Sequence, residues 1–287
     1  MRILVFGGRG QLATSLMAAL AEDDVVALSH QEVDVCDAQR VTDAVATVRP
    51  DVVINTAAMR RPDECELAPE RALAVNALGA RTAALACAAA KCALVHVSTD
   101  YVFDGGRWSP YFEDDVPNPV NVYGISKFVG ELFVRQSVER HYIIRTSGLF
   151  GGTNDPAQGS NFVLTLLRRA AEGLDTHVVT DQRMSPTYTL DLARKISWLI
   201  RRDAYGVCHI TNRGDCTWYE LAQAVFKKAG LRSRLLPTST DALASPARRL
   251  QYSVLGHRVL HRLGSDDLPH WENALERYLG SLGRFAA

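Results

Sequence analysis

The chain reads as an α/β protein: a doubly wound parallel sheet followed by a smaller C-terminal α/β unit. Three observations point there. Through the first half, short apolar runs alternate with longer helical ones, as in a parallel sheet covered on both faces. The first apolar run ends in a glycine-rich turn, Gly7-Gly8-Arg9-Gly10, that opens into a helical segment. After Phe150 the alternation loosens, and at 287 residues the chain has room for one large domain or two modest ones.

Taken in order, Ile3 to Phe6 is a strand, Gln11 to Ala21 a helix, Val25 to Leu28 a strand and Ala38 to Val48 a helix. Val52 to Asn55 is the third strand. The Ala-rich stretch from Pro69 to Lys91 is one long helix of good intrinsic propensity. Ala93 to Val97 is a strand, Val120 to Arg140 a helix and Tyr142 to Arg145 a strand. Residues 151–156 form a loop. Beyond it, Asn161 to Glu172 reads as helix, His177 to Thr180 as strand, Leu190 to Arg201 as helix, Cys208 to Thr211 as strand and Trp218 to Ala229 as helix. The last two helices are expected at Val254 to Leu263 and Pro269 to Gly280. The expected division is 1–150, with 188–212 returning to it, as one unit, and 151–187 with 213–287 as the other.

Composition narrows the class. Hydrophobic residues make up 47% and charged ones 22%, the balance of a folded globule, and 32 basic side chains match 32 acidic ones. That neutrality argues against a chain-wide attraction to nucleic acid or membrane. The first strand begins at the second residue, which leaves no room for a secretory leader. The richest apolar run, Ala83 to Ala90, is broken by Lys91 and falls short of a membrane span. A cytoplasmic location is expected. The six cysteines include no Cys-x-x-Cys pair and are expected to stay reduced. His257 and His261 stand one turn apart but lack a third ligand at zinc spacing. They are read as lying on a solvated helix face, and no metal site is assigned.

The glycine-rich turn carries the first functional signal. Gly7 and Gly10 allow a tight turn and a close approach of backbone to phosphate. The following helix offers free N–H groups from Gln11 and Leu12 and its positive dipole end to a pyrophosphate. Ala13 fills the third small position. On the first strand of such a sheet the turn marks a Rossmann-like dinucleotide unit. An acid closing the second strand would hold the ribose of NAD. Here that place reads Leu28-Ser29-His30, and Arg9 and His30 could instead meet the 2′-phosphate of NADP or simply face water. NADPH is therefore favoured, with NADH open. Asp34 and Val35 are placed at the adenine. Ala57 and Ala58, after Asn55-Thr56, are small enough to let the nicotinamide-side ribose pass.

The second signal is chemical. Ser98-Thr99-Asp100 ends a strand, and Tyr123 and Lys127 follow one turn apart on a helix. A phenol can protonate a forming alkoxide, and a hydroxyl such as Thr99 can hydrogen-bond the carbonyl oxygen. The Lys127 ammonium is expected to lower the Tyr123 pKa from about 10. Alone, Tyr-x-x-x-Lys is weak; behind a nucleotide fold in this order it indicates carbonyl reduction by hydride transfer.

Several further segments resemble one family. Ser98-Thr-Asp-Tyr-Val-Phe-Asp-Gly105, Pro110-Tyr-Phe-Glu113, Pro119-Val-Asn-Val-Tyr-Gly-Ile-Ser-Lys127, Gly130-Glu131, Asp181-Gln-Arg-Met-Ser-Pro-Thr-Tyr188 and Trp218-Tyr219 look like dTDP-4-dehydrorhamnose reductase. That family belongs to the extended short-chain dehydrogenases. The likeness reaches the tail, in Tyr252-Ser-Val-Leu255 and Pro269-His-Trp-Glu272. It implies reduction of the 4-keto group of a dTDP-linked 4-keto-6-deoxyhexose, for deoxysugar and polysaccharide synthesis. By motif, Thr99, Tyr123 and Lys127 form the catalytic set, Ser98 lies nearer the cofactor, and Lys127 also holds the nicotinamide ribose. Asp104, Asn161, Gln182 and Arg183 join Thr99 at the substrate, Arg183 because a guanidinium binds two diphosphate oxygens; a surface charge is the alternative for it. For Trp218, packing at a helix start ranks above base stacking. A homodimer is compatible with the family.

The pattern departs from the family at two places. The usual Thr-Ser-Trp is Thr146-Ser147-Gly148 here, which removes an indole from the sugar pocket and leaves the hexose open. Met59-Arg-Arg-Pro-Asp-Glu-Cys65 is instead similar to the regulatory beta subunit of methionine adenosyltransferase, an NADP-binding relative that works through a partner. A non-catalytic regulatory subunit is therefore the second hypothesis, with Arg60 and Arg61 either on a ligand phosphate or in water. Related dehydratases need Thr-Asp-Glu, and Thr99-Asp100-Tyr101 lacks that base. Epimerases lack the Asp-Gln…Pro-Thr segment.

Overall fold

A computed structural model describes residues 1–152 and 161–283. Residues 153–156 of the expected loop lie outside the described residues. The first half builds β1 (Arg2–Phe6), α1 (Gln11–Ala19), β2 (Asp24–Leu28), α2 (Ala38–Val48), β3 (Val52–Asn55), α3 (Pro62–Leu67), α4 (Pro69–Leu73), a π turn (Ala74–Leu78), α5 (Gly79–Ala90), β4 (Ala93–Thr99), α6 (Val122–Ser137) and β5 (His141–Thr146). The second half adds β6 (Leu149–Phe150), α7 (Phe162–Ala171), β7 (Thr176–Val179), β8 (Arg183–Met184), β9 (Thr187–Tyr188), α8 (Thr189–Leu199), β10 (Gly206–His209), β11 (Cys216–Thr217), α9 (Trp218–Ala229), β12 (Leu235–Thr238), α10 (Arg258–Arg262) and α11 (Trp271–Ser281).

Six strands form one sheet in the order β10-β5-β4-β3-β1-β2, and every pairing in it is parallel. Strand residues alternate between two buried layers. Ile3, Val5, Ile54, Val95 and Ile144 face α1 and α8, where Leu16, Leu192 and Ile196 meet them. Leu4, Phe6, Val53, Leu94 and Ile143 face α2, α5 and α6, against Val41, Ala83, Ala84 and Val134. Burial on both faces is why these strands read as unbroken apolar runs. β10 comes from the second half of the chain and pairs with β5 through Gly206↔Tyr142 to His209↔Arg145. A separate core, with Phe150, Leu164, Leu167, Leu221, Val225, Trp271, Leu275 and Tyr278, lies under α7, α9 and α11.

Helix ends follow side-chain capping. Asn121 accepts from Gly124 N at 2.8 Å, so α6 starts at Val122 rather than Val120. Thr217 and Glu220 form a reciprocal capping box at α9. The long Ala-rich helix is broken by the π turn, which turns buried Asn76 onto the backbone of Met59, with N–H and C=O contacts of 2.8 and 2.9 Å. From Pro69 to Ala90 the helical stretch is 22 residues with a mean hydropathy of 1.4 over its most apolar window, long and apolar enough by those measures to cross a membrane, contrary to the expectation from Ala83–Ala90 alone. It packs instead against α2, α6 and the sheet, with half of its most apolar window buried.

The expected helix from Val254 to Leu263 shrinks to α10. Val254 and Gly256 use their backbone groups on Tyr111, at 2.9 and 2.8 Å, which holds that stretch extended. His257 is not on a solvated face: its ring lies between Thr211 Oγ1 at 2.8 Å and Asp266 Oδ1 at 2.9 Å.

One buried ion pair ties α6 to the sheet. Arg145 of β5 reaches Glu131 through Nε (2.9 Å) and Nη2 (2.7 Å), and Ser98 of β4 donates to the same carboxylate at 2.5 Å. Glu131→Ala strands the buried guanidinium, so we expect a loss of about 3–5 kcal/mol in urea unfolding; a loss below about 1 kcal/mol would show that the pair carries little.

Candidate functional site

Parallel strands end on the same side of a sheet, and loops beyond those ends leave a crevice where the strand order reverses. Here a cleft of about 900 Å³ opens along the ends of β1, β3, β4 and β5. Its lining contains Gly7, Arg9, Gly10, Gln11, Leu12, His30, Asp34, Val35, Ala57, Ala58, Ser98, Thr99, Tyr123 and Lys127. The structure thus brings every residue read as a cofactor contact into one cavity with the three read as catalytic.

At one end the turn after β1 shapes the wall. Gly7 has φ +80°, and a Cβ there would sit 2.7 Å from Thr56 Oγ1 and 2.9 Å from Ala57 N, so only glycine fits. The N-cap of α1 is Gly10, which brings no side chain to the first-turn N–H groups, and no acidic residue stands in that turn. An uncapped helix start facing a cavity suits an anion. Glu32, the first acid after β2, is turned onto Ser29, accepting from its N at 2.8 Å and Oγ at 2.7 Å, and does not line the cleft. Arg9 does, with Nη1 3.3 Å from Gln31 Oε1.

At the other end, Thr99 closes β4 and Tyr123 and Lys127 descend one face of α6. Tyr101 packs edge-on against the Tyr123 ring, centroids 5.5 Å apart. Thr99 Oγ1 lies 2.9 Å from Asp100 Oδ1 and accepts from Tyr101 N at 3.2 Å. The Ser147 hydroxyl reaches Asp100 Oδ2 at 2.7 Å. Lys127 Nζ donates to Val97 O at 2.6 Å and lies 3.4 Å from His96 Nε2. The buried Ser98 hydroxyl, although its residue lines the cleft, is committed to Glu131. Among the described residues Thr146 Oγ1 is buried without a hydrogen-bond partner on the same wall, a place for a polar ligand group.

Burial dominates the electrostatics. It raises the Tyr123 phenol above its ordinary value, with only partial relief from the Thr99 hydroxyl, and the leading influences on it do not include Lys127. The expectation that the ammonium lowers this phenol is therefore corrected for the protein without ligands: both side chains lose water, and desolvation outweighs their proximity. Lys127 itself is pushed down to about 8 by burial, with the Glu131 carboxylate opposing. Asp100 is raised, first by burial, against hydrogen bonds from Ser253, Ser147 and Thr99.

The residues read as substrate contacts fare differently. Only Thr99 lines the cleft. Asn161 caps α7, accepting from Leu164 N at 3.0 Å, and donates to Gly151 O at 2.8 Å and Tyr278 Oη at 3.0 Å. Gln182 Nε2 donates to Thr240 Oγ1 at 2.8 Å. Asp104 accepts from Tyr111, Asn118 and Gly106. Arg183 pairs with Asp215 at 2.6 Å and Glu220 at 3.1 Å, so its charge is already matched. In the structure without ligands these four lie off the cleft lining and are engaged within the protein.

In their place the cleft takes Arg60, Arg71, Arg249 and Trp218. Arg249, paired with Asp63, stands beside Tyr101, and Arg60 lies near Tyr123. Arg249 carried no sequence signal of its own, because its partner is far away in the chain. Trp218 both packs edge-on against Phe162, at 4.7 Å, and lines the cleft. Gly148, where the family carries Trp, has φ +53°, and a Cβ would meet Met184 Sδ at 2.7 Å. No group of three or more His, Cys, Asp or Glu able to hold a metal occurs among the described residues.

Lys127 gives a stability test. Its pKa is about 8 folded against 10.5 unfolded, so the charged form costs stability below pH 8, and the cost fades as pH rises toward 10.5. Lys127→Met should unfold later at pH 7, by up to about 3 kcal/mol, with the gain shrinking above pH 8. A gain that grew with pH would contradict the sign.

Comparison with known proteins places this architecture. The family model described as RmlD substrate binding domain matches residues 1–283. The dTDP-4-dehydrorhamnose reductase of Streptomyces griseus is 40% identical over 96% of this chain and 91% of its own length. The dTDP-4-keto-6-deoxy-D-glucose reductase of Streptomyces niveus is 38% identical over 96% and 95%. The crystal structure of the Bacillus anthracis str. Ames dTDP-4-dehydrorhamnose reductase, in complex with NADP, superposes with a TM-score of 0.93 at 37% identity, covering 98% of this chain and 99% of that one. With its motifs gathered in one cleft and its whole length matched, the chain belongs to the dTDP-4-dehydrorhamnose reductase family of oxidoreductases, the family of the RmlD substrate binding domain.

Proposed function

We propose that the chain reduces the 4-keto group of a dTDP-linked 4-keto-6-deoxyhexose with NADPH, as a step of deoxysugar synthesis. The observation that carries this reading is the shared cleft: Thr99, Tyr123 and Lys127 line the cavity that also holds the glycine-rich turn. The cavity fits a dinucleotide by size, by the uncapped start of α1 and by the partnerless Thr146 hydroxyl. When bound, the reduced nicotinamide supplies the hydride. Tyr123, kept protonated by burial, gives its phenolic proton to the substrate oxygen as the carbonyl becomes an alcohol. Thr99 holds that oxygen. Lys127, cationic below about pH 8, stabilises the phenolate left behind and holds the nicotinamide ribose.

The binding roles follow. Gly7, Gly10, Gln11 and Leu12 take the pyrophosphate, Ala57 and Ala58 pass the ribose, Asp34 and Val35 flank the adenine, and Ser98 stands behind the nicotinamide. Arg9 and His30 take the 2′-phosphate, since Glu32 is occupied by Ser29. Arg60, near Tyr123, and Arg249, beside Tyr101, take the substrate diphosphate, with Arg183 as a further cation for it. Residues 1–150 and 188–212 thus form the cofactor unit, and 151–187 with 213–287 the substrate unit. The relatives are reductases in name, and Arg61 and Asp63 are paired with Glu64 and Arg249, so the regulatory-subunit reading is not favoured.

Two measurements test this. Tyr123→Phe should cut NADPH oxidation with a dTDP-4-keto-6-deoxyhexose by about 10²–10⁴-fold, and near-normal turnover would refute the assignment. Arg9→Ala should lower kcat/KM for NADPH about tenfold, one charged contact's worth, and leave NADH unchanged; equal losses for both would remove Arg9 from the 2′-phosphate.

A further inference from the structure

A hydroxyl has one proton and two lone pairs. Those of Thr99 have three protein claimants: Asp100 Oδ1 at 2.9 Å, the Tyr101 N–H at 3.2 Å and the phenol of Tyr123. With Asp100 ionised, the Thr99 proton goes to the carboxylate. Its oxygen accepts from Tyr101 N–H, and no proton remains to hold a carbonyl oxygen or to reach the Tyr123 phenol. With Asp100 protonated on Oδ1, the carboxyl donates to Thr99 instead. Asp100 and the Tyr101 N–H then fill both Thr99 lone pairs, and the Thr99 proton is free to turn toward the cleft, where the Tyr123 phenol and the carbonyl oxygen meet, while Oδ2 still accepts from Ser147 at 2.7 Å.

We propose that Asp100 is a positioning residue that works as a neutral acid, donating to Thr99 so that the Thr99 hydroxyl points at the substrate's carbonyl oxygen. This rests on the reductase reading above. Burial favours the protonated form and raises the carboxyl's pKa, against hydroxyl hydrogen bonds from Ser253, Ser147 and Thr99. Arg249, the cation on the cleft wall beside Tyr101, is paired with Asp63. The titratable groups facing it are Tyr101 at its side and Tyr123 from α6; Ser147 comes from the segment after β5 and Ser253 from the tail. Lys127, one turn beyond Tyr123, titrates separately near 8. A carboxylate that merely braces Ser147 and Ser253 would need its charge, whereas this role needs its proton.

Asparagine separates the two, because its amide N–H keeps the donor toward Thr99 and its carbonyl still accepts from Ser147. The experiment is the pH profile of kcat and KM for wild type, Asp100→Asn, Asp100→Ala and Tyr123→Phe, with NADPH and a dTDP-4-keto-6-deoxyhexose. Wild type should lose kcat in two steps as pH rises, the second being that of Lys127. Asp100→Asn should keep kcat within about threefold of the wild-type plateau and lack the first step. Asp100→Ala should lose kcat about 10–100-fold with KM within threefold. Thr99→Val combined with Asp100→Ala should be no worse than Thr99→Val alone, which separates positioning from misfolding. A tenfold or greater loss in Asp100→Asn, an unchanged profile in it, or additive losses in the double variant would overturn the proposal. Tyr123→Phe reports on the reductase reading alone: if it stays active that reading fails, and if it is dead while Asp100→Asn behaves as wild type at every pH, only the role of Asp100 fails.

Discussion

The site hangs from one buried interaction, the bidentate contact of Arg145 with Glu131. Glu131, Lys127 and Tyr123 are four residues apart along α6, so they share one stripe of the helix. Pinning the carboxylate fixes the rotation of that stripe and aims the ammonium and phenol together. The same carboxylate accepts from Ser98, the residue before Thr99, so the anchor also sets the end of β4. Helix and strand are registered against a common point. Such a pair is costly to desolvate and repays that cost only when its geometry is nearly complete. Here both guanidinium contacts are short, and the Phe103 ring lies 5.2 Å from the guanidinium carbon.

Burial of the anchor has an electrostatic consequence for everything above it. The ammonium and the Asp100 carboxyl are buried and the phenol half-buried on the cleft wall, and each shifts toward its neutral form. The phenol keeps its proton, the state that the proposed proton donation needs. The ammonium is held loosely enough to respond near neutral pH. Neighbouring charge, the effect that a Tyr-x-x-x-Lys pattern suggests first, is secondary here until an anion or cofactor changes the surroundings.

What the sequence disclosed follows from this physics. The six sheet strands were readable because both faces are buried, so apolar residues run unbroken, and α2, β3 and α9 fall where the periodicity put them. β12 escaped because it carries Pro237 and pairs with β7 along one edge only. Val254 to Leu263 has helical spacing, yet its first residues bond to Tyr111 instead, a tertiary preference that no local pattern records. At the site, glycine turn, hydroxyl, phenol and ammonium were legible as motifs. Arg9 and Arg60 were named from the sequence and line the cleft, but Arg249 was not, because what brings it there is a distant acid: Asp63 pairs with it beside Tyr101.

A strip with little regular structure, residues 247 to 256, brings Arg249 to the cleft, and its contacts explain how a distant stretch of chain reaches it. Toward the cofactor unit, Ala247 N donates to Asp63, Asn121 donates to Arg248 O, and Val254 and Gly256 bond the backbone of Tyr111. Toward the other unit, Gln251 O accepts from Arg183 N and Ser253 N donates to Arg183 O, both at 2.8 Å. The strip is therefore stapled to both halves, and Arg249 and Ser253 are carried into the space between them. Arg183 meets the strip through its backbone and is the rail on which the strip runs, while its guanidinium pairs with Asp215 and Glu220 and that of Arg249 with Asp63.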